Sequence, residues 1–256
     1  RGLGDVYKRQ VWAMGEQLKC GDFVPFVFEH KFNMEVGDGD RKQLMSGTID
    51  RVDICENGTD VYVRIIDYKT GKKDFNIVKT YYGIDIQLMV YMEAAMKLVA
   101  KMRPGKNVIP AGVFYYNISD PIVSATTESA EEIEDKIKGE LRLKGMVNSD
   151  KDIAEKMDNT EGTSLNIPVS RKADGGFDSR RSKVMNTEQF NILGRFVDVR
   201  AIDTADRIAG GDIKRSPYKD GQFSSCDRCP YGAVCGFSVD LPGCNYRKLK
   251  KFDDEV

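Results

Sequence analysis

Two short stretches of the chain bring acidic side chains and a lysine close together. They are Gly47-Thr48-Ile49-Asp50-Arg51 and Ile66-Asp67-Tyr68-Lys69-Thr70-Gly71. Two carboxylates and a backbone carbonyl, which Tyr68 could offer, suit Mg²⁺, whose preferred ligands are oxygens. A cation held in this way polarises a phosphoryl oxygen and activates a water molecule, which Lys69 could position. The two stretches therefore predict a metal site for hydrolysis.

The two stretches flank a predicted β-hairpin. Its turn contains Asn57-Gly58, a strong hairpin signal. One register sets Asp50 opposite Asp67, whereas a tighter turn would set them diagonally. Like charges that face each other destabilise a sheet, so the pair favours a cation site over a merely structural surface hairpin. In either register, alternation with period two gives one face composed of Asp50, Val52, Ile54, Val63, Ile65, Asp67 and Lys69.

A third pair, Gln87 and Tyr91, follows the hairpin on a predicted helix. Their spacing of four residues puts both side chains on one helical face. Taken alone, the pair is equally typical of a core tyrosine with a glutamine at its edge. Its position after the two acidic stretches makes it a candidate part of the same site.

Three cysteines near the C-terminus have the spacing of metal ligands. Cys226, Cys229 and Cys235 are separated by two and then five residues. Thiolates select zinc or an iron–sulfur cluster, and the spacing leaves both open. Paired disulfides are disfavoured, because nothing in the sequence marks a secreted protein. A fourth ligand must come from elsewhere, and Cys244 and Cys20 are the candidates within the chain.

Together these motifs resemble the PD-(D/E)xK nucleases of the RecB type, whose motifs are Gly-x-x-Asp, Asp-Tyr-Lys-Thr and Gln-x3-Tyr. From about residue 11 to about residue 250, the chain is similar to the AddB-type branch. The resemblance implies an α/β, restriction-endonuclease-like core, with a central mixed sheet flanked by helices and a C-terminal iron–sulfur staple. It also implies that Gln87 holds the active site and that Tyr91 contacts substrate or braces the strand. Further matching segments are Phe23–Phe26, Tyr82-Gly83, Pro110–Tyr115, Leu143–Met146, Cys229–Tyr231, Cys235–Phe237 and Tyr246-Arg247.

The resemblance implies a Mg²⁺-dependent DNA exonuclease that processes double-strand DNA ends for recombinational repair and trims the 5′-ended strand. Its expected partners are DNA and an AddA-like helicase/nuclease subunit, in a heterodimer. It further implies a [4Fe–4S] cluster on Cys226, Cys229 and Cys235, with a fourth cysteine far upstream, outside this fragment. A non-catalytic DNA-gripping module and a zinc-stapled nuclease of the same fold are the alternatives.

The chain departs from the family pattern at two positions. Cys20 falls just before Phe23-Val24-Pro25, where the family has no ligand, so we interpret it as an ordinary small residue. The sole histidine, His30, does not match the family's metal-associated histidine, which lies further upstream. Its neighbour Glu29 is either an outer acid near the metal or a solvent-facing strand residue. Cys55 and Cys244 are expected to be free thiols.

Residues 1–10 fit no part of the family pattern, and we predict that they are a non-native scar. Residues 11–256 are then one nuclease domain, a fragment of a longer chain, with a cysteine staple segment at 222–247. Other predicted elements are helices over 11–19, 85–102, 129–143, 150–157 and 186–208, strands over 26–33 and 111–118, and a loop or short hairpin over 159–183. The last helix is predicted to open with a capping box of Asn186 and Gln189.

Composition restricts the class of protein. Charged residues make up 31% of the 256 residues and the net charge is −1, which argues against a broadly basic nucleic-acid coat. A DNA groove needs only a local basic lining. Candidate linings are 171–183, Lys214-Arg215 and 247–251, although a solvated loop or tail is the favoured interpretation of each. No apolar run reaches the roughly 18 residues of a membrane span, so a cytoplasmic protein is expected.

Overall fold

The computed structural model describes residues 3–36, 42–121, 123 and 129–250. Its six-stranded mixed sheet is flanked by helices, as the resemblance implied, and three short strands form a separate small sheet. The helices are α1 (Leu3–Lys19), α2 (Ile77–Tyr81), α3 (Gln87–Met102), α4 (Ala130–Glu140), α5 (Lys151–Met157), α6 (Thr187–Ala209) and α7 (Gly232–Cys235). The strands are β1 (Val24–Val36), β2 (Gln43–Asn57), β3 (Asp60–Lys69), β4 (Asn107–Asn117), β5 (Lys144–Asn148), β6 (Val184–Met185), β7 (Tyr218–Asp220), β8 (Phe223–Ser224) and β9 (Arg247–Lys248).

The hairpin of β2 and β3 forms the centre of the large sheet. Asn57 pairs with Asp60 around the turn, where Gly58 has a φ of 60° that glycine adopts without strain. Further along, Val52 faces Ile65. This confirms the predicted register in which the two acidic stretches meet, and the diagonal register was wrong.

Strand β4 lies parallel to β3 on its other side. Parallel neighbours need a long crossover, and α2 and α3 provide it. The ladder runs from Asp60 beside Asn107 to Lys69 beside Asn117, so the carboxyl ends of both strands meet at one edge. The candidate site residues on β3 therefore lie beside β4 as well as β2.

The sheet is buried on both faces. One face, with Val52 and Ile65, packs against α3 and α6. The other face, with Tyr62 and Phe114, packs against residues of α5 such as Ile153 and against Phe23. Burial on both sides fixes the position of the hairpin between two layers.

Most long elements agree with the sequence predictions. Helix α3 ends at Met102 as expected, and α6 opens with both hydrogen bonds of the Asn186 and Gln189 capping box. Helix α1 begins earlier than predicted, at Leu3, and within it Arg9 binds Asp120. That residues 1–10 are a scar stays a prediction, and Arg1, Gly2 and residues 251–256 lie outside the described residues.

Within the described part of the chain, no helix combines the length and the apolar composition that crossing a membrane would require.

Candidate active site

The two carboxylates of the hairpin meet where its ladder ends. The last pair is Arg51 with Ile66, and beyond it the backbone N–H of Tyr68 donates to Asp50 Oδ2 at 2.7 Å. This bond fixes the Asp50 side chain against the neighbouring strand. Asp67 is only 2% exposed, so its carboxylate lies inside the protein beside that of Asp50.

The surroundings of Asp67 suit a cation. Burial raises the pKa of Asp67, Lys69 opposes that rise, and the like charge of Asp50 adds to it. Lys69 Nζ lies 2.5 Å from Asp67 Oδ2, yet among the described residues this oxygen accepts no hydrogen bond of good geometry. Burial of a carboxylate is costly unless a counter-charge accompanies it, and Lys69 supplies one positive charge for two neighbouring carboxylates. The donor set, two carboxylates with further backbone oxygens nearby, fits a hard divalent ion.

Gln87 and Tyr91 form a hydrogen-bonded pair at the start of α3. Gln87 Nε2 donates to the Tyr91 hydroxyl at 2.9 Å, and the Tyr91 ring meets the Phe32 ring edge-on at 5.8 Å. A Cβ at Gly47 would lie 2.8 Å from Phe32 Cε1 and 3.4 Å from Tyr91 Cε1. The glycine of the Gly-x-x-Asp motif therefore makes room for the rings that place α3 against β2.

Three residues that the sequence analysis did not select complete this end of the sheet. Tyr115, beside Asp67 on β4, donates its hydroxyl to Asp85 at 2.9 Å. Lys73 Nζ lies 3.1 Å from the same Asp85 oxygen and 4.9 Å from the centre of the Tyr115 ring. Burial raises the pKa of Tyr115, so the phenol stays protonated as a donor. The network places a second lysine next to Lys69.

A cationic cavity of about 320 Å³ adjoins this network. Asn117 shapes it, because its side chain accepts from the Lys73 N–H at 3.0 Å and donates to the Lys73 carbonyl at 2.9 Å. Burial lowers the pKa of Lys144 on the opposite wall. The cavity is lined by Lys72, Lys73, Asp74, Asn117, Ser119, Glu140 and Lys144. A larger cavity, of about 770 Å³, lies between residues 211–215 and 243–244 and includes none of the candidate catalytic residues.

The opposite face of the hairpin holds a buried ion triad. Asp53 is fully buried and accepts from Arg51 Nε at 2.6 Å and from Arg51 Nη2 at 2.8 Å. Arg64 Nε, from β3, donates to the same carboxylate at 2.9 Å. The triad joins β2 to β3 directly beneath the strand ends that carry Asp50 and Asp67.

Strand β1 is distorted opposite Asp50. Phe28 pairs with Arg51 and His30 pairs with Ile49, so Glu29 between them lies across from Asp50. Glu29 has a φ of 48°, the left-handed conformation that residues other than glycine rarely adopt. Its side chain is exposed and His30 is half-buried. Within the described residues, no group of three His, Cys, Asp or Glu side chains is placed to hold a metal ion, so neither residue completes a three-residue ligand set with the carboxylates.

The C-terminal cysteines are free thiols on a turn and a short helix. Cys226 and Cys235 are half-buried and Cys229 is exposed. The Cys229 N–H donates to the Cys226 carbonyl at 3.2 Å, which closes a tight turn. In the described part of the chain the three thiols are not gathered around one point. The thiols have the chemistry of cluster ligands, but their arrangement is not that of an assembled site.

The other cysteines lie apart from each other. Burial raises the pKa of Cys20, whose thiol is hydrogen-bonded with Asn166, far along the chain from the staple segment. Cys55 is buried in the hairpin, and burial raises its pKa as well. Cys244 is half-buried at the edge of the 770 Å³ cavity. All three are free thiols, as predicted for Cys55 and Cys244.

Comparison with known proteins gives relatives along the whole chain. The chain is 37% identical over 268 residues to the B-type subunit of the ATP-dependent helicase/deoxyribonuclease of Clostridium botulinum (strain Hall). It is 36% identical over 265 residues to the corresponding subunit of Caldanaerobacter subterraneus subsp. tengcongensis. It is 34% identical over 264 residues to that of Thermoanaerobacter sp. (strain X514). The alignments cover 99–100% of this chain but only 22–23% of these relatives, so the chain spans less than a quarter of their length.

A family profile matches most of the chain. The profile of the PD-(D/E)XK nuclease superfamily covers residues 3–236, which include the hairpin, the crossover helix and all three cysteines of the staple motif. The mixed α/β sheet and the Asp-x-Lys at the end of β3 agree with this match. The chain belongs to the PD-(D/E)XK nuclease superfamily.

Proposed function

We propose that this chain is a Mg²⁺-dependent deoxyribonuclease domain that hydrolyses phosphodiester bonds. The observation that carries the proposal is the buried Asp67 carboxylate, which lies beside the Asp50 carboxylate and forms an ion pair with Lys69 at 2.5 Å. Two neighbouring carboxylates repel each other, and a divalent cation bound by both would offset more of this repulsion than the single charge of Lys69 does. Such a carboxylate pair is the arrangement that metal-assisted hydrolysis needs.

Each residue has a definite task in this proposal. Asp50 and Asp67 would hold the ion, with Tyr68 adding its backbone carbonyl. When bound, Mg²⁺ would polarise the phosphoryl oxygen and activate the attacking water. Lys69, held against Asp67, would orient that water and offset the charge of the phosphate. Gln87 and Tyr91 would keep the helix start in place around the substrate.

The lysines beside the site would bind the substrate strand. Lys73 sits between Asp85 and the Tyr115 ring, and Lys144 faces the same cavity. Cationic side chains at fixed positions neutralise backbone phosphates of DNA without reading the sequence. A DNA strand that crosses this edge of the sheet would therefore present a phosphate to Asp50 and Asp67.

The proposal extends to the protein complex in which the domain would act. The relatives are subunits of an ATP-dependent helicase/deoxyribonuclease. We infer that this domain trims the 5′-ended strand while an AddA-like helicase subunit unwinds broken DNA for recombinational repair. Cys226, Cys229 and Cys235 would bind a [4Fe–4S] cluster together with a fourth cysteine ligand. A zinc-stapled nuclease differs only in the metal at these thiols.

A non-catalytic DNA-gripping module is the alternative of a different class. Such a module would have no need for a buried Asp67 carboxylate with Asp50 beside it, because facing like charges destabilise a sheet. The retained Asp50, Asp67 and Lys69 therefore favour catalysis.

The test is cleavage of linear duplex DNA labelled on one strand at a time, by the intact protein assembled with its helicase partner. In Mg²⁺, Asp67→Asn should lower the cutting of one strand by at least about 100-fold, because a direct metal ligand is lost. Asp60→Asn, at the turn end of the same strand, is the matched control and should cut like the wild type.

The same assay has a clear opposite outcome. If Asp67→Asn cuts both strands at the wild-type rate, the chemistry belongs to the partner subunit and the nuclease assignment is wrong. Chelation of Mg²⁺ should abolish the cuts that Asp67→Asn abolishes.

A further inference from the structure

A second cationic cavity, of about 470 Å³, lies outside the candidate active site. It is enclosed by three parts of the chain: the α2–α3 connection, the C-terminal half of α6, and residues 214–216 with β9. Its lining residues are Tyr82, Gly83, Arg200, Asp203, Thr204, Arg207, Lys214, Ser216 and Arg247. Two of the basic runs selected from the sequence, at Lys214 and at Arg247, are thus brought together against arginines of α6.

The cavity has more positive than negative charge. Arg207 pairs with Asp212, from Nε at 2.9 Å and from Nη2 at 2.8 Å, and so is largely neutralised. Three further cations, Arg200, Lys214 and Arg247, face a single lining carboxylate, that of Asp203. A cavity of this composition suits an anion with several oxygens.

The arginines are held in place by the fold. The Arg200 guanidinium lies 5.2 Å from the Phe196 ring centre and 5.9 Å from that of Tyr81, and these two rings are stacked. Arg200 Nε is buried and, among the described residues, has no hydrogen-bond acceptor. Arg247 Nε donates to the Ser216 carbonyl at 3.1 Å. Guanidinium groups fixed in this way bind phosphate with little loss of side-chain freedom.

The cavity shares a wall with the active site. Tyr82 and Gly83 belong to the connection that continues through Asp85 to Gln87. Asp85 is bonded to Tyr115 and Lys73 at the catalytic edge of the sheet. The C-terminal segment closes over the same connection, since the Lys250 N–H donates to the Tyr82 hydroxyl at 3.1 Å. The same connection therefore joins the cavity to the edge of the sheet that carries the candidate catalytic residues.

We propose that this cavity binds a backbone phosphate of the DNA strand, away from the bond that is cut, and so holds the strand during cleavage. The inference rests on the proposed nuclease function and deepens it by assigning a second contact with the substrate. Arg200, Lys214 and Arg247 are the binding residues. Free inorganic phosphate has the same chemistry as the backbone group, and the test separates the two.

The test is fluorescence anisotropy of a labelled single-stranded oligonucleotide with the intact protein, in EDTA, over a range of salt concentrations. Lys214→Gln should weaken binding and lower the slope of log affinity against log salt by about 0.7, the value for one phosphate contact on a single strand. Lys214→Arg should retain both the affinity and the slope of the wild type. Lys101→Gln, at the exposed far end of α3, is the matched control and should not change the slope.

A second readout separates this site from the catalytic one. Hydrolysis of bis(p-nitrophenyl) phosphate in Mg²⁺ needs no extended strand, so it reports on the catalytic residues alone, and Lys101→Gln should leave its rate unchanged. An unchanged salt slope in Lys214→Gln, or a slope change equal to that of Lys101→Gln, overturns the cavity assignment. The assignment is also overturned if inorganic phosphate binds in the cavity and its displacement has no effect on the affinity for DNA. Failure of the nuclease proposal would look different: no hydrolysis of the small diester, with the binding slope intact.

Discussion

At the scale of single residues, the Gly-x-x-Asp motif depends on the absence of a side chain at Gly47. A side chain there would meet the Phe32 ring, and that ring is packed edge-on against Tyr91. Since Tyr91 is bonded to Gln87, displacement of one ring is transmitted to the start of α3. The glycine thus sets the distance between the helix and the strand that carries Asp50.

We therefore predict that Gly47→Ala lowers both stability and turnover. The added methyl lies 2.8 Å from Phe32 Cε1, and overpacking of this kind costs about 1–3 kcal/mol. The displaced Tyr91 should lower kcat more than it weakens DNA binding. Chemical denaturation and steady-state cleavage measure the two effects.

Gly71→Ala is the matched control. It follows Lys69 closely in the chain, but a Cβ there meets no atom within 4 Å. It should leave the free energy of unfolding nearly unchanged. Equal losses in the two variants would contradict the role assigned to the rings.

The candidate site residues were predictable to different degrees. Asp50, Asp67 and Lys69 follow from alternation along two strands around a strong turn signal. Tyr115 was not selected, because it reaches Asp67 only through the parallel pairing of β3 with β4. Nothing local in a sequence specifies which strand lies beside which, so the pairing and the Asp85 bond had to come from the fold.

At the scale of elements, the hairpin is stabilised by charged residues on its buried face. Arg51, Asp53 and Arg64 form hydrogen-bonded ion pairs in which Asp53 is fully buried. Removing one partner from a buried ion pair leaves an uncompensated charge in a medium of low dielectric constant. The stability of this hairpin therefore depends on the triad being complete.

The variant Asp53→Asn tests whether the complete triad stabilises the hairpin. It keeps the shape of the side chain but leaves two buried arginines without a counter-charge, so the free energy of unfolding should fall by about 3–5 kcal/mol. Denaturant titration of the intact protein measures the loss.

Glu56→Gln is the control for Asp53→Asn, because Glu56 pairs with Arg103 at the exposed end of the same hairpin. Its unfolding midpoint should hardly move. If Asp53→Asn is no less stable than Glu56→Gln, the triad does not stabilise the hairpin.

The triad also explains where sequence reasoning stopped for this element. Charged residues at alternate positions normally indicate a strand face in contact with water. Here Arg51 and Asp53 are 4% and 0% exposed, since α5 and the segment around Phe23 cover that face. Pairing between the charges, rather than solvent, satisfies them, and the pattern alone cannot distinguish the two.

At the scale of the whole molecule, the C-terminal segment is packed far less tightly than the sheet. Ile213, Val234 and Leu241 are 92%, 82% and 47% exposed, and the strands β7 to β9 have only two or three residues each. Short segments without a core usually depend on a metal or another covalent constraint. This agrees with the proposed role of the cysteines as a staple.

We expect anaerobically purified intact protein to be brown, with visible absorption from a cluster. Cys229→Ser should remove that absorption and lower the temperature at which the C-terminal segment unfolds. A colourless protein that contains zinc would contradict the cluster and favour the zinc staple. Cys55→Ser, which changes a buried thiol of the hairpin, should keep the colour.

The long elements of the fold were more predictable from the sequence than its short strands. The long elements, α3, α6 and the hairpin, have strong periodicity, and α6 also opens with a capping box. Strands β5 to β9 have two to five residues each, too few for alternation to be recognised. They are strands because neighbouring strands supply their hydrogen bonds.

The order of the site residues along the chain has a consequence for synthesis on the ribosome. Asp50, Asp67, Lys69, Gln87 and Tyr115 all lie between β2 and β4, whereas the cysteines come more than a hundred residues later. A nascent chain folds from its N-terminal side as it emerges, and local pairings such as hairpins form early. The proposed catalytic residues are therefore translated well before the segment proposed to secure them, and insertion of the proposed cluster would be a late maturation step.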